Sequence, residues 1–197
     1  MKLRKKDIVL IASAALIAVT AFTLAYFTNS DFITNRFSRK QSPDDQKKVS
    51  IEVREQFDPP DDPDGEPFRK DVQIANTGTA DSYIRVRLEF SSSEIRDISY
   101  VSNDSDKDNQ SAYIPAAAFP ESALPAGWEY RAADGFYYYT EAVAPGDTTE
   151  SLIRWVKTVF PADWTGATDG YDIYVYSEAV PADDESGSRQ DYEDAWK

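Results

Sequence analysis

The 197-residue chain has no cysteine, no histidine, one methionine and eight glycines. Without cysteine there is no disulfide scaffold, no thiolate nucleophile and no thiolate metal ligand. Without histidine the Ser-His-Asp triad, the Cys-His dyad and the HExxH zinc site are all closed to it. The few glycines are scattered at turns, so no glycine-rich loop is available to cradle a phosphate. Basic residues are also scarce, 21 against 35 acids, giving a net charge of −14. The imbalance is uneven: the first seven residues, MKLRKKD, carry +3, which leaves −17 on residues 26–197. A surface so acidic repels phosphate backbones and argues against a nucleic-acid partner. Its plainest reading is a solvated face, with a divalent cation or a basic partner as the alternative. Thirty-five carboxylates always supply some pair for glycoside hydrolysis, but no spacing singles one out.

Long apolar runs are absent too, with one exception. Ile8–Phe27, IVLIASAALIAVTAFTLAYF, is uncharged throughout and follows Lys2, Arg4, Lys5 and Lys6. A basic start, an apolar stretch and the small residues of Thr23-Leu24-Ala25 describe a secretory signal cut between Ala25 and Tyr26. Twenty residues are also enough to cross about 30 Å of hydrocarbon as a helix. The residues therefore leave two states open, a cleaved leader or a retained anchor helix. In both, the positive flank keeps the N-terminus in the cytoplasm and delivers the remainder outside.

Beyond the leader, residues 26–48 read as a flexible segment and charged linker, and residues 49–180 as the folded body. "VSIEVREQF" alternates, with Val49, Ile51 and Val53 opposite Ser50, Glu52 and Arg54, which is the period of a half-buried strand. "DPPDDPDGEP" (58–67) is a loop, and "KDVQIANTG" a second strand stopped at Asn76-Thr77-Gly78. "SYIRVRLEFS" (82–91) places Ile84, Val86, Leu88 and Phe90 on one face, as a central antiparallel strand with one packed and one wet side. "WEYRAADGFYYYT" reads as a hairpin turning at Asp134-Gly135, and "YDIYVYSEAV" (171–180) as the last strand. About eight strands and no long amphipathic helix after the leader give an all-β fold, an antiparallel β-sandwich of jelly-roll type behind an N-terminal hydrophobic signal or anchor helix. Residues 181–197 form an acidic tail expected to fray.

One stretch looks like a ligand loop. "DSDKDN" sets Asp104, Asp106 and Asp108 at the alternate positions of a calcium loop. It departs from the EF-hand rule at Asn109, where glycine belongs, and at Pro115, where the bidentate glutamate belongs. Calcium is thus the sole cofactor the sequence suggests, set against an ordinary polar loop. Tyr137–Tyr139, Tyr174, Tyr176 and Trp128 offer either a carbohydrate- or protein-binding platform or plain cross-strand packing.

The leader and the stretch after it, Tyr26-Phe27, then TNSD, then Asn35-Arg36-Phe37, resemble the signal region of proteins cut by the SipW-type signal peptidase, the TasA/camelysin group of Gram-positive exported proteins. "VQIANTGTADSYIRVRLEF", "DGFYYYTEAVAPGDTTESL" and "YDIYVYSEAV" are similar to three successive blocks of such proteins, so the likeness runs from residue 1 to about residue 180. Pro181 departs from it and is expected to end the last strand early. The resemblance implies cleavage after Ala25 by a SipW-type peptidase and a secreted or cell-surface jelly-roll-like domain. It further implies fibre assembly in the biofilm matrix, with the N-terminal segment of one subunit entering the sheet of the next. Tyr26, Phe27, Phe32, Ile33 and Phe37 would carry that assembly. Camelysin relatives are described as metallopeptidases, an activity that a chain without histidine does not inherit. The expectation is a non-enzymatic surface or matrix protein, a fibre or fibre-accessory subunit. The alternative is a binding module held on the membrane by an uncleaved leader and using an aromatic or calcium-dependent acidic surface.

Overall fold

The computed structural model describes residues 49–58, 64–165 and 171–197. The leader, the cut at Ala25 and Tyr26, and the assembly residues Phe27, Phe32, Ile33 and Phe37 lie outside the described residues.

Among the described residues nine strands make two antiparallel sheets. They are β1 (Ile51–Asp58), β2 (Phe68–Asn76), β3 (Ser82–Phe90), β4 (Ser99–Ser102), β5 (Ile114–Pro115), β6 (Trp128–Arg131), β7 (Phe136–Val143), β8 (Trp155–Thr158) and β9 (Ile173–Pro181). Sheet one runs β1-β2-β8-β4-β5 and sheet two β6-β7-β3-β9. Two short helices interrupt them, α1 (Ser93–Ile98) and α2 (Tyr192–Ala195). The helix α1 starts where the Ser92 side chain caps the Ile95 N–H, a common way to satisfy an orphan donor of the first turn.

Alternation fixes which side chains meet. Ile51 and Val53 of β1 lie opposite Asn76 and Ile74 of β2. Ile84 and Val86 of β3 lie between Tyr139 and Tyr137 of β7 and Ala179 and Ser177 of β9. These inward residues, with Val72, Val101, Leu152, Ile153, Val156 and Val175, form one buried core to which both sheets contribute. Asn76 ties the sheets together at one end: its amide donates to the carbonyls of Ala80 and Val143, both at 2.8 Å, and its oxygen accepts from Gly78 N–H. The predicted turn at Asn76 is therefore a buried polar joint.

"ESLIRWVKTVF" (150–160) pairs regularly only over Trp155–Thr158; upstream of it, Thr149, Leu152 and Arg154 follow β2 through isolated bonds such as Thr149 N–H to the Ile74 carbonyl. Two expectations need revision. The hairpin turns over four residues, with Gly135 alone taking positive φ (76°) and its N–H returning to the Arg131 carbonyl. Pro181 does not shorten the last strand: it ends β9 opposite Ser82, where an edge strand can point the missing N–H away from the ladder.

The acidic tail does not fray. Ala182 N–H bonds to the Asp81 carbonyl, Gln190 N–H returns to Ala182, and the Gln190 carbonyl accepts from the Tyr83 hydroxyl. Residues 190–196 then cross the outer face of sheet two, where Tyr192 donates to Glu129 and the Trp196 ring stands edge-on to Tyr138. The face expected to be wet is thus strapped over, and Tyr83 is buried.

Candidate functional site

The strands carry little net charge. The nine described strands hold eight acidic and seven basic side chains, whereas the rest of residues 49–197 holds 23 acids and five bases. The negative charge of the body is a property of its loops, so the sheet surfaces are where contacts without repulsion are available.

The outer face of sheet one carries both signs. Register places Glu52, Arg54, Gln56 and Asp58 of β1 and Arg69, Asp71 and Gln73 of β2 on one side, continued by Trp155 and Lys157 of β8 and Tyr100 of β4. An open groove of about 470 Å³ runs over it, lined by Arg54, Gln56, Arg69, Asp71 and Gln73 among others. The carboxylate of Asp71 is buried, accepting from Ser151 Oγ at 2.6 Å and Arg69 at 2.9 Å, with Arg154 at 3.6 Å. Glu52 and Glu55 line the groove as well, so both signs meet in it. Arg54 is exposed and makes no ion pair among the described residues. The Nε of Arg69 is buried and unpaired. The aromatic surfaces here are already covered: Arg69 lies 5.5 Å from the Trp155 ring, and Lys157 lies 4.7 Å from Tyr113 and 5.5 Å from Tyr100.

The outer face of sheet two is closed by its strap. The Arg85 guanidinium sits between the rings of Phe136 at 4.1 Å and Trp196 at 4.3 Å, while bonding Glu178 and the Tyr138 hydroxyl. Burial works against that charge, but the hydrogen bond to Glu178 and the phenol raise the Arg85 pKa above its ordinary value. Asp134 beside it is held low: desolvation pushes it up, but the Tyr138 hydroxyl, the Phe136 N–H and the charges of Arg85 and Arg131 outweigh that. Arg131 stacks on Tyr138 at 4.2 Å and Tyr192 at 5.1 Å, completing an alternation of cations and rings.

The proposed platform residues are divided by their strand. Tyr137 and Tyr139 point into the core with Trp128, and burial drives the Tyr137 pKa well up; Tyr138 points out beneath the strap. Asp104, Asp106 and Asp108 remain on one loop, but the oxygens of Asp104 and Asp106 are engaged in its own turns. Asp104 accepts from Asp106 N–H and from Asn109, and Asp106 accepts from Asp108 N–H. These bonds lower the Asp104 pKa, the Asp106 N–H contributing most. Among the described residues no group of three or more His, Cys, Asp or Glu side chains is placed to hold a metal ion. Tyr113 packs under this loop with its hydroxyl on the Lys107 carbonyl; burial, then the charges of Asp108, Asp106 and Asp104, push its pKa up to about 12.

Two long edges complete the picture. Among the described residues β1 pairs only with β2 and β9 only with β3. Sequence reasoning missed both the groove over β1 and β2 and the strap, although Arg54 on the polar side of β1 and Arg85 on that of β3 were visible in the alternation. No family model matches the chain, and neither a curated protein nor a solved structure matches it.

Proposed function

We propose that the chain is an exported, non-enzymatic structural protein of the cell surface or extracellular matrix, a fibre or fibre-accessory subunit. Its body is a jelly-roll-like sandwich behind an N-terminal signal helix, cut after Ala25 by a SipW-type peptidase. The segment from Tyr26 to Phe37, with Phe27, Phe32, Ile33 and Phe37 as apolar contacts, adds a strand to the sheet of a neighbouring copy. The observation that supports this most directly is the pair of long edge strands, β1 and β9, each bonded on one side only among the described residues. An added strand satisfies the open backbone groups of such an edge.

Deleting residues 26–37 from the exported form tests the reading. Loss of polymer by light scattering and electron microscopy, with unchanged circular dichroism and melting, is the expected result. Polymerisation by the truncated protein would sink strand donation. The mass of the mature N-terminus separates this from the membrane-held binding module: a chain beginning at Tyr26 is released, one retaining Met1 is tethered.

A further inference from the structure

Strand β1 keeps one side of its backbone for β2 and turns the other outward. Thr77 N–H donates to the Ser50 carbonyl at 2.8 Å, in the register that sets Ile51 against Asn76. Antiparallel partners exchange bonds at every second residue, so Ser50, Glu52, Arg54 and Gln56 face β2, while Ile51, Val53 and Phe57 face the open edge. The far side of β2 matches: the N–H groups of Lys70 and Val72 bond away from β1, to the Arg154 and Ile153 carbonyls. The outer row of β1 side chains alternates in sign, Glu52 then Arg54, both exposed and without an ion pair among the described residues. On the inner side Phe57, a large apolar ring, is left 40% exposed near the end of the strand.

We propose that β1 pairs antiparallel with β1 of a second copy of this chain, Val53 opposite Val53, so that two five-stranded sheets become one. Backbone groups that face the edge in both copies meet only in registers that differ by steps of two. Among these, the Val53 register sets Glu52 of each copy opposite Arg54 of the other. A slip of two residues one way sets Glu52 against Glu52, and a slip the other way sets Arg54 against Arg54. Larger slips shorten the overlap. The charged row also falls at the pairs not hydrogen-bonded across the join, where side chains stand closest and opposite charges count most. The overlap runs from Val49 to Phe57 and leaves Asp58 outside it. On the inner side, Val49 of each copy lies opposite Phe57 of the other and covers the exposed ring. Glu55 is an inward charge of the kind that keeps strands off an edge, but its carboxylate is already held on Lys70. The other long edge has no such pattern, since the outer row of β9, Tyr174, Tyr176, Glu178 and Val180, contains no cation. The same patch serves both copies, so the contact is isologous and closes as a pair, with β9 left as the edge for a donated strand.

Nothing in this pairing depends on strand donation by residues 26–37, so the two are measured apart. Sedimentation of the soluble exported chain is expected to show a reversible dimer at or below about 1 mM, the weak end of specific association. Arg54→Glu and Glu52→Arg each set like charges opposite one another at both pairs, and each is expected to weaken the dimer at least about tenfold. Mixed in equal amounts, the two variants should restore one another, because each supplies the charge the other lacks. That rescue is open only to folded proteins. The register is read by disulfide capture, since the chain has no cysteine of its own. Glu52→Cys and Arg54→Cys proteins, mixed and oxidised, are expected to give mainly the crossed disulfide between positions 52 and 54, identified by intact mass. A chain that stays monomeric at about 1 mM overturns the proposal. So does a dimer indifferent to both charge reversals, which would place the contact elsewhere, or a product dominated by 52–52 or 54–54 disulfides, which would mark a slipped register. A dimer lost on deleting residues 26–37 would make β1 the edge that receives the donated strand and overturns the proposal as well. The expected result is a dimer that survives this deletion even where polymer does not, so the two readings fail separately.

Discussion

Lys70 and Glu55 form an ion pair on the inner side of sheet one, with only 3% and 4% of their side chains exposed. Lys70 also lies 5.3 Å from the Phe57 ring, which stands edge-on to Phe68. Replacing Lys70 by Met keeps the length and apolar volume but takes the ammonium away from the Glu55 carboxylate in a dry place. Removing one partner of a buried pair costs about 3–5 kcal/mol, because the remaining charge keeps its desolvation penalty and loses that attraction. For a body of this size that lowers Tm by about 6–20 °C, at about 2–4 °C per kcal/mol. Lys70→Met with Glu55→Leu removes both charges and is expected to recover at least half of the loss, since an apolar replacement of a buried pair is close to neutral. Urea titration followed by tryptophan fluorescence measures all three variants under one m-value. A Lys70→Met cost below about 1 kcal/mol, or a double variant no better than the single, refutes the burial argument.

Gly127 has φ of +79°, and a Cβ built there would lie 2.6 Å from the Tyr139 ring. Gly127→Ala is therefore expected to cost about 3 kcal/mol from backbone strain and overpacking together, read as a shift in the urea midpoint. Trp196→Ala removes one plate of the Arg85 stack and is expected to cost about 1–2 kcal/mol. It should also speed tryptic cleavage at the exposed Arg189 while leaving the body intact; an unchanged cleavage rate counts against the strap. Raised tyrosine pKa values mean that the folded state holds protons the unfolded state has lost. That stability is whole below about pH 10 and disappears as pH rises through the folded value of about 12 at Tyr113, with Tyr137 and Tyr171 adding to it. Absorbance at about 295 nm should show late, cooperative ionisation coincident with unfolding. In acid, the depressed pKa values of Asp104 and Asp134 act in the opposite sense. Their contribution is present above about pH 4, the unfolded carboxylate range, and is lost as pH falls through the lower folded values, which a melting series from pH 6 to 2 would record. With Asp104 and Asp106 engaged in their own loop, calcium at about 5 mM is expected to leave calorimetric heats and Tm unchanged; binding lost in Asp106→Asn would restore the calcium reading.

Period-two patterning made most of the sheet legible. β1, β2, β3, β7 and β9 follow from alternation because one side of each faces a shared core, as with Ile84 and Val86 against Tyr139 and Tyr137. What alternation cannot carry is pairing by isolated bonds, which is how Thr149, Leu152 and Arg154 follow β2. The six-residue helix α1 leaves little trace in the sequence for a similar reason. Its signals are a single capping serine, Ser92, and Glu94 in the first turn, with only Ile95 buried. The strap was invisible because its local composition is that of a solvated tail. Its order comes from Tyr83, Glu129 and Arg85, between 63 and 111 residues away in the chain, and such partners leave no mark on the segment itself.

The order in which the chain closes its sheets also sets when it can fold. β2 waits for residues 147–158, and β3 waits for all nine residues of β9, so sheet one lacks a strand until Thr158 has been made and sheet two until Pro181 has. Pairings of such long range form slowly, after loop-closure entropy has been met in full. For a polypeptide that leaves the cell as proposed, this delay keeps the nascent chain open while its front end is being threaded, and postpones maturation to the far side of the membrane.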